Sequence, residues 1–120
     1  MYEILNTIHS PADVKKLNLQ QLNDLAGEIR EALFNRLTKI GGHFGPNFGI
    51  VEAEIALHYV FNSPVDKFVF DVSHQSYPHK MLTGRSLGYT DEKHFREDSG
   101  YTNPEESAHD LFNVGHTSTS

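Results

Sequence analysis

Apolar side chains recur at steps of three or four through Leu22, Leu25, Ile29, Leu33, Leu37 and Ile40. That spacing is one face of an amphipathic helix. Asn18 is placed to cap its start, and Gly41-Gly42 to end it. Upstream, Ser10-Pro11-Ala12-Asp13 predicts a short helix with a capping serine, proline at the first helical position and an acid in the first turn. From Ile50 to Phe61 the apolar residues Ile50, Val51, Ala53, Ile55, Ala56, Leu57, Val60 and Phe61 occupy too many faces for one stripe. This predicts a helix buried on most sides. Between the two long helices, Gly41 to Gly49 reads as a loop with four glycines, Pro46 and His43. Asn62-Ser63-Pro64 ends the second helix.

After this break the period changes. Lys67-Phe68-Val69-Phe70-Asp71-Val72 is a short, nearly continuous apolar run, as in an interior strand of a parallel sheet. Ser73-His74-Gln75 follows at its C-terminal end, where open α/β sheets bind ligands. Pro78 to Thr83 predicts a short helix stopped by Gly84. Leu87 to His109 is a long polar surface excursion with helical tendency around Glu92 to Arg96. Asp110-Leu111-Phe112-Asn113-Val114 is an apolar patch suited to a strand, and Gly115-His116-Thr117-Ser118-Thr119-Ser120 follows it. One or two strands are fewer than a stable sheet needs, so the expectation is an α/β unit, helix-rich at its N-terminus, that is incomplete or docks on something else.

Composition narrows the function classes. The 120 residues carry a formal net charge of −6 and form no basic stripe, which argues against a nucleic-acid surface. No apolar run approaches the roughly 18 residues of a membrane span. Met1-Tyr2-Glu3-Ile4-Leu5 lacks the charged-then-apolar pattern of a secretory signal, so a cytoplasmic location is expected. Without cysteine, neither disulfides nor thiolate metal sites are available. An acidic chain that held a diphosphate would rely on local backbone donors, a few side chains and a metal ion.

Three segments place histidine among glycine and small polar residues: Gly41-Gly42-His43-Phe44-Gly45, Asp71-Val72-Ser73-His74-Gln75 and Gly115 to Ser120. Glycine lets backbone approach a ligand, and histidine moves protons near neutral pH. A Gly-His-Thr-Ser turn offers N–H and hydroxyl donors to phosphate oxygens. Taken singly, each has a plainer reading: a helix stop, a histidine bonded to backbone, a polar turn. Of the other histidines, His58 reads as a satisfied core residue. His79, with Lys80, reads as an exposed helix face, and His9, His94 and His109 as surface residues. Glu52 and Glu54 are expected to meet a helix-end partner or a subunit contact. No histidines stand at His-x-x-x-His spacing, and no metal ligands are assigned.

Together the segments resemble the 1-deoxy-D-xylulose-5-phosphate synthase family of transketolase-type thiamine-diphosphate enzymes. The likeness lies in Ile4 to Ile8, Ser10 to Asp13, Lys39-Ile40-Gly41-Gly42-His43, Ala56 to Phe61, Asp71 to Gln75, Tyr77 to Arg85 and Gly115 to Ser120. It implies part of a doubly wound α/β domain holding the diphosphate end of thiamine diphosphate. Residues 1–120 would be the N-terminal part of that domain. The resemblance implies decarboxylation of pyruvate and transfer of the two-carbon unit to glyceraldehyde 3-phosphate by a homodimer. It assigns proton transfer to His43 and cofactor contacts to His74, Gly115, His116 and Thr117. The family's Gly-Asp-Gly motif, its Mg2+ ligands and the activating glutamate of a second domain are not in this sequence, so the chain alone is expected to be inactive. Phe44-Gly45-Pro46-Asn47-Phe48-Gly49 and Ser73 depart from the family's usual residues, around the expected substrate pocket. Another transketolase-type ketol transferase, or a non-catalytic module retaining the fold, stand as alternatives.

Overall fold

The computed structural model describes residues 2–41, 44–68, 75–95, 102 and 104–110. Six helices occur in them: α1 (Pro11–Val14), α2 (Leu19–Ile40), α3 (Phe44–Gly49), α4 (Val51–Val60), α5 (Tyr77–Lys80) and α6 (Leu87–Thr90). Short 3₁₀ turns add Leu5–Thr7 and Glu92–His94, and a kinked π-helical turn, Met81–Arg85, follows α5. No strand occurs among the described residues. Lys67 and Phe68 have no regular structure, and the rest of the expected strand at Lys67 to Val72 lies outside the described residues. Most of the expected strand at Asp110 to Val114 lies outside them too.

Local chemistry sets the helix ends. Asn18 Oδ1 accepts from Gln21 N–H at 2.8 Å, and Gln21 Oε1 accepts from Asn18 N–H at 2.9 Å. This reciprocal box satisfies two donors that the first turn leaves orphaned. Gly41 closes α2 with φ of 80°. At α1, Asp13 Oδ2 takes the His9 and Ser10 N–H groups at 2.9 and 3.2 Å. Lys15 then reaches the far end of α4, donating to the His58 and Tyr59 carbonyls at 2.6 and 3.2 Å and to the Phe61 carbonyl. A cation thereby satisfies the last carbonyls of a helix remote in sequence.

α2 is the central element. Leu25, Ala26, Ile29, Ala32, Leu33, Arg36 and Leu37 face inward, and α3, α4 and α6 pack on this helix. Leu5, Ile8, Val14, Val51, Ile55, Tyr77, Met81, Leu82 and Tyr89 complete the core. Arg36 is buried yet well provided: Nε and Nη2 donate to the Phe95 carbonyl at 3.1 and 2.9 Å. Its guanidinium lies 4.3 Å from the Tyr89 ring centre and 5.2 Å from that of Tyr77. Cation–π attraction compensates part of its desolvation.

Two sequence expectations change here. Residues 44–49 are helical rather than loop. The helix expected to be buried on most sides buries one stripe only, Val51, Glu54, Ile55 and His58. Leu57, Tyr59 and Val60 are exposed. Polar residues turn inward on α4 because they meet other polar groups, described next.

Candidate functional site

His43, His74, Gly115, His116 and Thr117 lie outside the described residues. Their described neighbours converge on one place, α5 and the turn after it. α3 begins immediately after His43, and Asn47 within it is fully buried. Asn47 Oδ1 accepts the Tyr77 N–H at 2.9 Å. Tyr77 opens α5, three residues beyond His74. The departure at Asn47 thus ties the segment after His43 to the segment after His74.

From the other side, α5 and its turn grip residues 106–110, just upstream of Gly115. Arg85 Nη1 and Nη2 donate to Asp110 Oδ2 and Oδ1, both at 2.8 Å. Arg85 Nη1 and Lys80 Nζ also reach Glu106 Oε1, at 3.1 and 2.8 Å. His79 Nε2 lies 3.2 Å from the His109 carbonyl and 3.3 Å from Asp110 Oδ1. Ser63 Oγ and His109 Nδ1 are 2.7 Å apart. His79 and Lys80 are therefore fully buried, not an exposed helix face. His109 is half-buried and bonded, not a free surface residue. The apolar run of α5 is too short to reveal this. Burial here follows from the acids that a distant segment brings.

Gly84 aims the turn. Its φ is 102°, and a Cβ there would sit 2.7 Å from the His9 carbonyl oxygen. Only glycine meets both conditions.

Behind this grip lies a file of titratable groups. His58 Nδ1 donates to the Glu54 carbonyl at 2.7 Å, which leaves Nε2 to accept from His79 Nδ1–H at 2.8 Å. Phe68 stands edge-on to His58, 4.8 Å between ring centres. Burial holds His58 far below the usual imidazole range, to about 3, and the neighbouring His79 adds to this. Burial also lowers His79, against the pull of Asp110. With two protons on the pair, His79 Nε2 has no hydrogen to offer its two oxygen neighbours. A third would complete the chain, and burial opposes it.

Burial lowers Lys80 as well, with Glu106 holding it up, and lowers His109. Glu54 stands apart. Its carboxyl is fully buried, and neither oxygen meets a donor in good geometry, with the His79 backbone N–H the neighbour that favours its charged form. Burial raises its pKa well above 4.5, against the pull of the His79 N–H, and so favours the neutral acid. Glu52 pairs at the surface with Arg30, in the middle of α2, so neither glutamate meets the expected helix-end partner among the described residues.

The arrangement is a scaffold that fixes three chain segments through buried polar contacts. Among the described residues, no group of three or more His, Asp or Glu side chains is placed to hold a metal ion. Beside the network, Leu22, Ala26, Ile55, Ala56, Tyr59 and Val60 line an open apolar groove of about 230 Å³ between α2 and α4. Among the described residues, no helix is long and apolar enough to cross a membrane.

Known proteins resemble the chain along its length. The sequence model of the 1-deoxy-D-xylulose-5-phosphate synthase family matches residues 5–120. The enzyme of that name from Chlamydia pneumoniae is 57% identical over 119 residues, which is 97% of this chain and 18% of the relative. Those of Pelotomaculum thermopropionicum and Syntrophomonas wolfei are 50% and 51% identical, each over 100% of this chain and 19% of the relative. The chain thus spans about a fifth of the length of these curated relatives.

Proposed function

Because the chain belongs to the 1-deoxy-D-xylulose-5-phosphate synthase family, we propose that it forms the N-terminal part of the α/β domain that holds the diphosphate of thiamine diphosphate. The reaction is loss of CO2 from pyruvate and joining of the remaining two-carbon unit to glyceraldehyde 3-phosphate. The observation that carries this reading is convergence. Asn47 bonds Tyr77, and Arg85 and Lys80 bond Asp110 and Glu106, so described residues that neighbour the three glycine-histidine segments in sequence meet at one short helix and its turn. That meeting supports a reading in which the three segments serve one cleft.

The roles follow from chemistry. Gly115, His116 and Thr117 donate N–H and hydroxyl hydrogens to diphosphate oxygens, with His74 beside them. His43, on a glycine-flanked stretch next to the start of α3, moves protons to and from the reacting substrate. Thiamine diphosphate, when bound, supplies the electron sink for decarboxylation. Mg2+ requires oxygen ligands close to the phosphates, and those ligands are assigned outside these 120 residues. The working form is a cytoplasmic homodimer, and the 120-residue chain alone is inactive.

The test is His43→Ala in the full-length enzyme, with turnover and thermal midpoint measured together. Turnover should fall roughly 100- to 10,000-fold, the usual contribution of one acid–base group. Near-normal turnover in a normally folded variant refutes the assignment. Absence of pyruvate decarboxylation by the full-length wild type refutes the whole reading.

A further inference from the structure

We propose that residues 104–110 form an acid-released strap, docked on α5 through His79 and His109 and freed as the pH falls below neutrality, a device independent of the functional reading above. The contacts that hold the strap are polar. Of its seven residues, all described, none belongs to the apolar core. Lys80 and Arg85 hold Glu106 at 2.8 and 3.1 Å, and the Arg85 fork holds both oxygens of Asp110 at 2.8 Å. His79 Nε2 lies 3.2 Å from the His109 carbonyl, and Ser63 Oγ lies 2.7 Å from His109 Nδ1. Attachment of this kind depends on which groups carry protons, whereas an apolar anchor would not.

Three imidazoles from three parts of the chain meet under the strap: His58 of α4, His79 of α5 and His109 of the strap itself. Their ring centres are 5.0 Å apart for His58 and His79, and 6.3 Å for His79 and His109. At such distances a charge on one ring opposes a charge on the next. Cations close in as well. Lys15 of α1 donates to the His58 carbonyl at 2.6 Å, and Lys80 and Arg85 flank His79. The acids give little relief. Asp110 Oδ1 is 3.3 Å from His79 Nε2, but the Arg85 guanidinium already answers that carboxylate. Glu106 is taken by Lys80 and Arg85, and burial favours the neutral form of Glu54 beside the His79 backbone. An imidazolium in the docked strap would therefore be buried, crowded by cations and poorly compensated.

Burial accordingly lowers both His79 and His109 from their ordinary 6.5 while the strap is docked. Detachment returns both rings to water and to the ordinary value. The open form then binds more protons than the docked one. Docking is favoured in full above 6.5, and the advantage is lost as pH falls below it. Hydrated carboxylates titrate lower, near 4, so the interval from about 6.5 down to about 5 belongs to the histidines.

The test is hydrogen exchange of the full-length protein, followed by mass spectrometry from pH 7.5 to pH 5 and corrected for the intrinsic rate at each pH. The His109 and Asp110 amides, bonded to Ser107 Oγ and the Ser107 carbonyl at 3.1 and 3.2 Å, are the probes of the strap. Amides of α2 report global unfolding. Protection of residues 104–110 should fall about ten- to thirtyfold for each of the two histidines, while α2 keeps its protection. His79→Gln and His109→Gln should each lose one such share of the fall. His9→Gln, at an exposed histidine outside the cluster, should keep all of it.

A loss of protection confined to the strap and reduced in both cluster variants sustains the proposal. Protection of the strap that does not change with pH overturns it, as does an equal loss in α2 or an undiminished fall in folded His79→Gln. An equal reduction by His9→Gln also counts against it. If His79→Gln does not fold, or leaves the strap unprotected already at pH 7.5, His109→Gln decides by the same criterion.

Discussion

Replacing Glu54 by methionine should make this protein more stable. The carboxyl is fully buried on α4, and neither oxygen meets a donor in good geometry, although the His79 backbone N–H is close enough to favour the charged form. Protein data put the burial of a polar group without a well-formed hydrogen bond at roughly 1–3 kcal/mol. Methionine has a similar length and no such cost, and its flexibility lets it fill the same space. For a chain of this size each kcal/mol corresponds to about 4 °C, so the thermal midpoint should rise by about 4–12 °C. The gain should also depend on pH in a stated direction. The folded-state pKa of Glu54 is raised above its ordinary 4.5. Its contribution is therefore fully present below 4.5 and is lost as pH rises toward the folded-state value, because only the unfolded chain ionises there. Each pH unit in that window removes up to about 1.4 kcal/mol from the wild type and nothing from the variant. His58 titrates in both proteins and cancels in the comparison. The assay is thermal unfolding followed by circular dichroism for wild type and Glu54→Met at pH 4.5 and pH 7.5. A variant that melts at or below the wild type at pH 7.5, or a gap that fails to widen with pH, would show that the carboxyl is stabilised by a partner.

Other substitutions probe the rest of the frame. Gly84→Ala should destabilise by about 2–3 kcal/mol, since both the positive φ and the His9 carbonyl oppose a side chain. Gly27→Ala, exposed in the middle of α2 with nothing within 4 Å of the new Cβ, should stabilise by about 0.5–1 kcal/mol, both glycine variants being read by urea titration. Lys15→Met should cost about 1 kcal/mol and speed amide exchange near the end of α4, whose last carbonyls it would strand. His58 has a folded-state pKa lowered from 6.5 to about 3, so its contribution is present above 6.5 and lost as pH falls through that window. Between pH 6.5 and pH 5 this amounts to about 2 kcal/mol, and His58→Gln should flatten that limb of the stability profile.

Several local features were legible from sequence because their causes are local. The Leu22-to-Ile40 stripe, the Asn18 cap and the Gly41 stop produced α2 as expected, since a 3.6-residue period and a capping side chain act within a few residues. The stop at Gly84 and the break at Asn62-Ser63-Pro64 belong to the same class. The family, too, was legible, carried by runs such as Asp71 to Gln75 and Tyr77 to Arg85 whose residue order is specific.

Which face of a helix is buried was decided elsewhere. Nothing near His79 and Lys80 announces that both are fully buried. That follows from Glu106 and Asp110 arriving some 26 to 31 positions later in sequence. Nor does the pattern of α4 show that Glu54 and His58 turn inward while Leu57, Tyr59 and Val60 face out. Local hydropathy favours the reverse, but His58 can be buried only where His79 meets its ring nitrogen. The chain by itself determined where helices begin and end and which residues are equipped for chemistry. Only the tertiary structure decided that Asn47 meets Tyr77 and that Arg85 meets Asp110. The reason is physical: a capping bond closes over a few residues, whereas a buried ion pair exists only once the rest of the fold has excluded water from both partners.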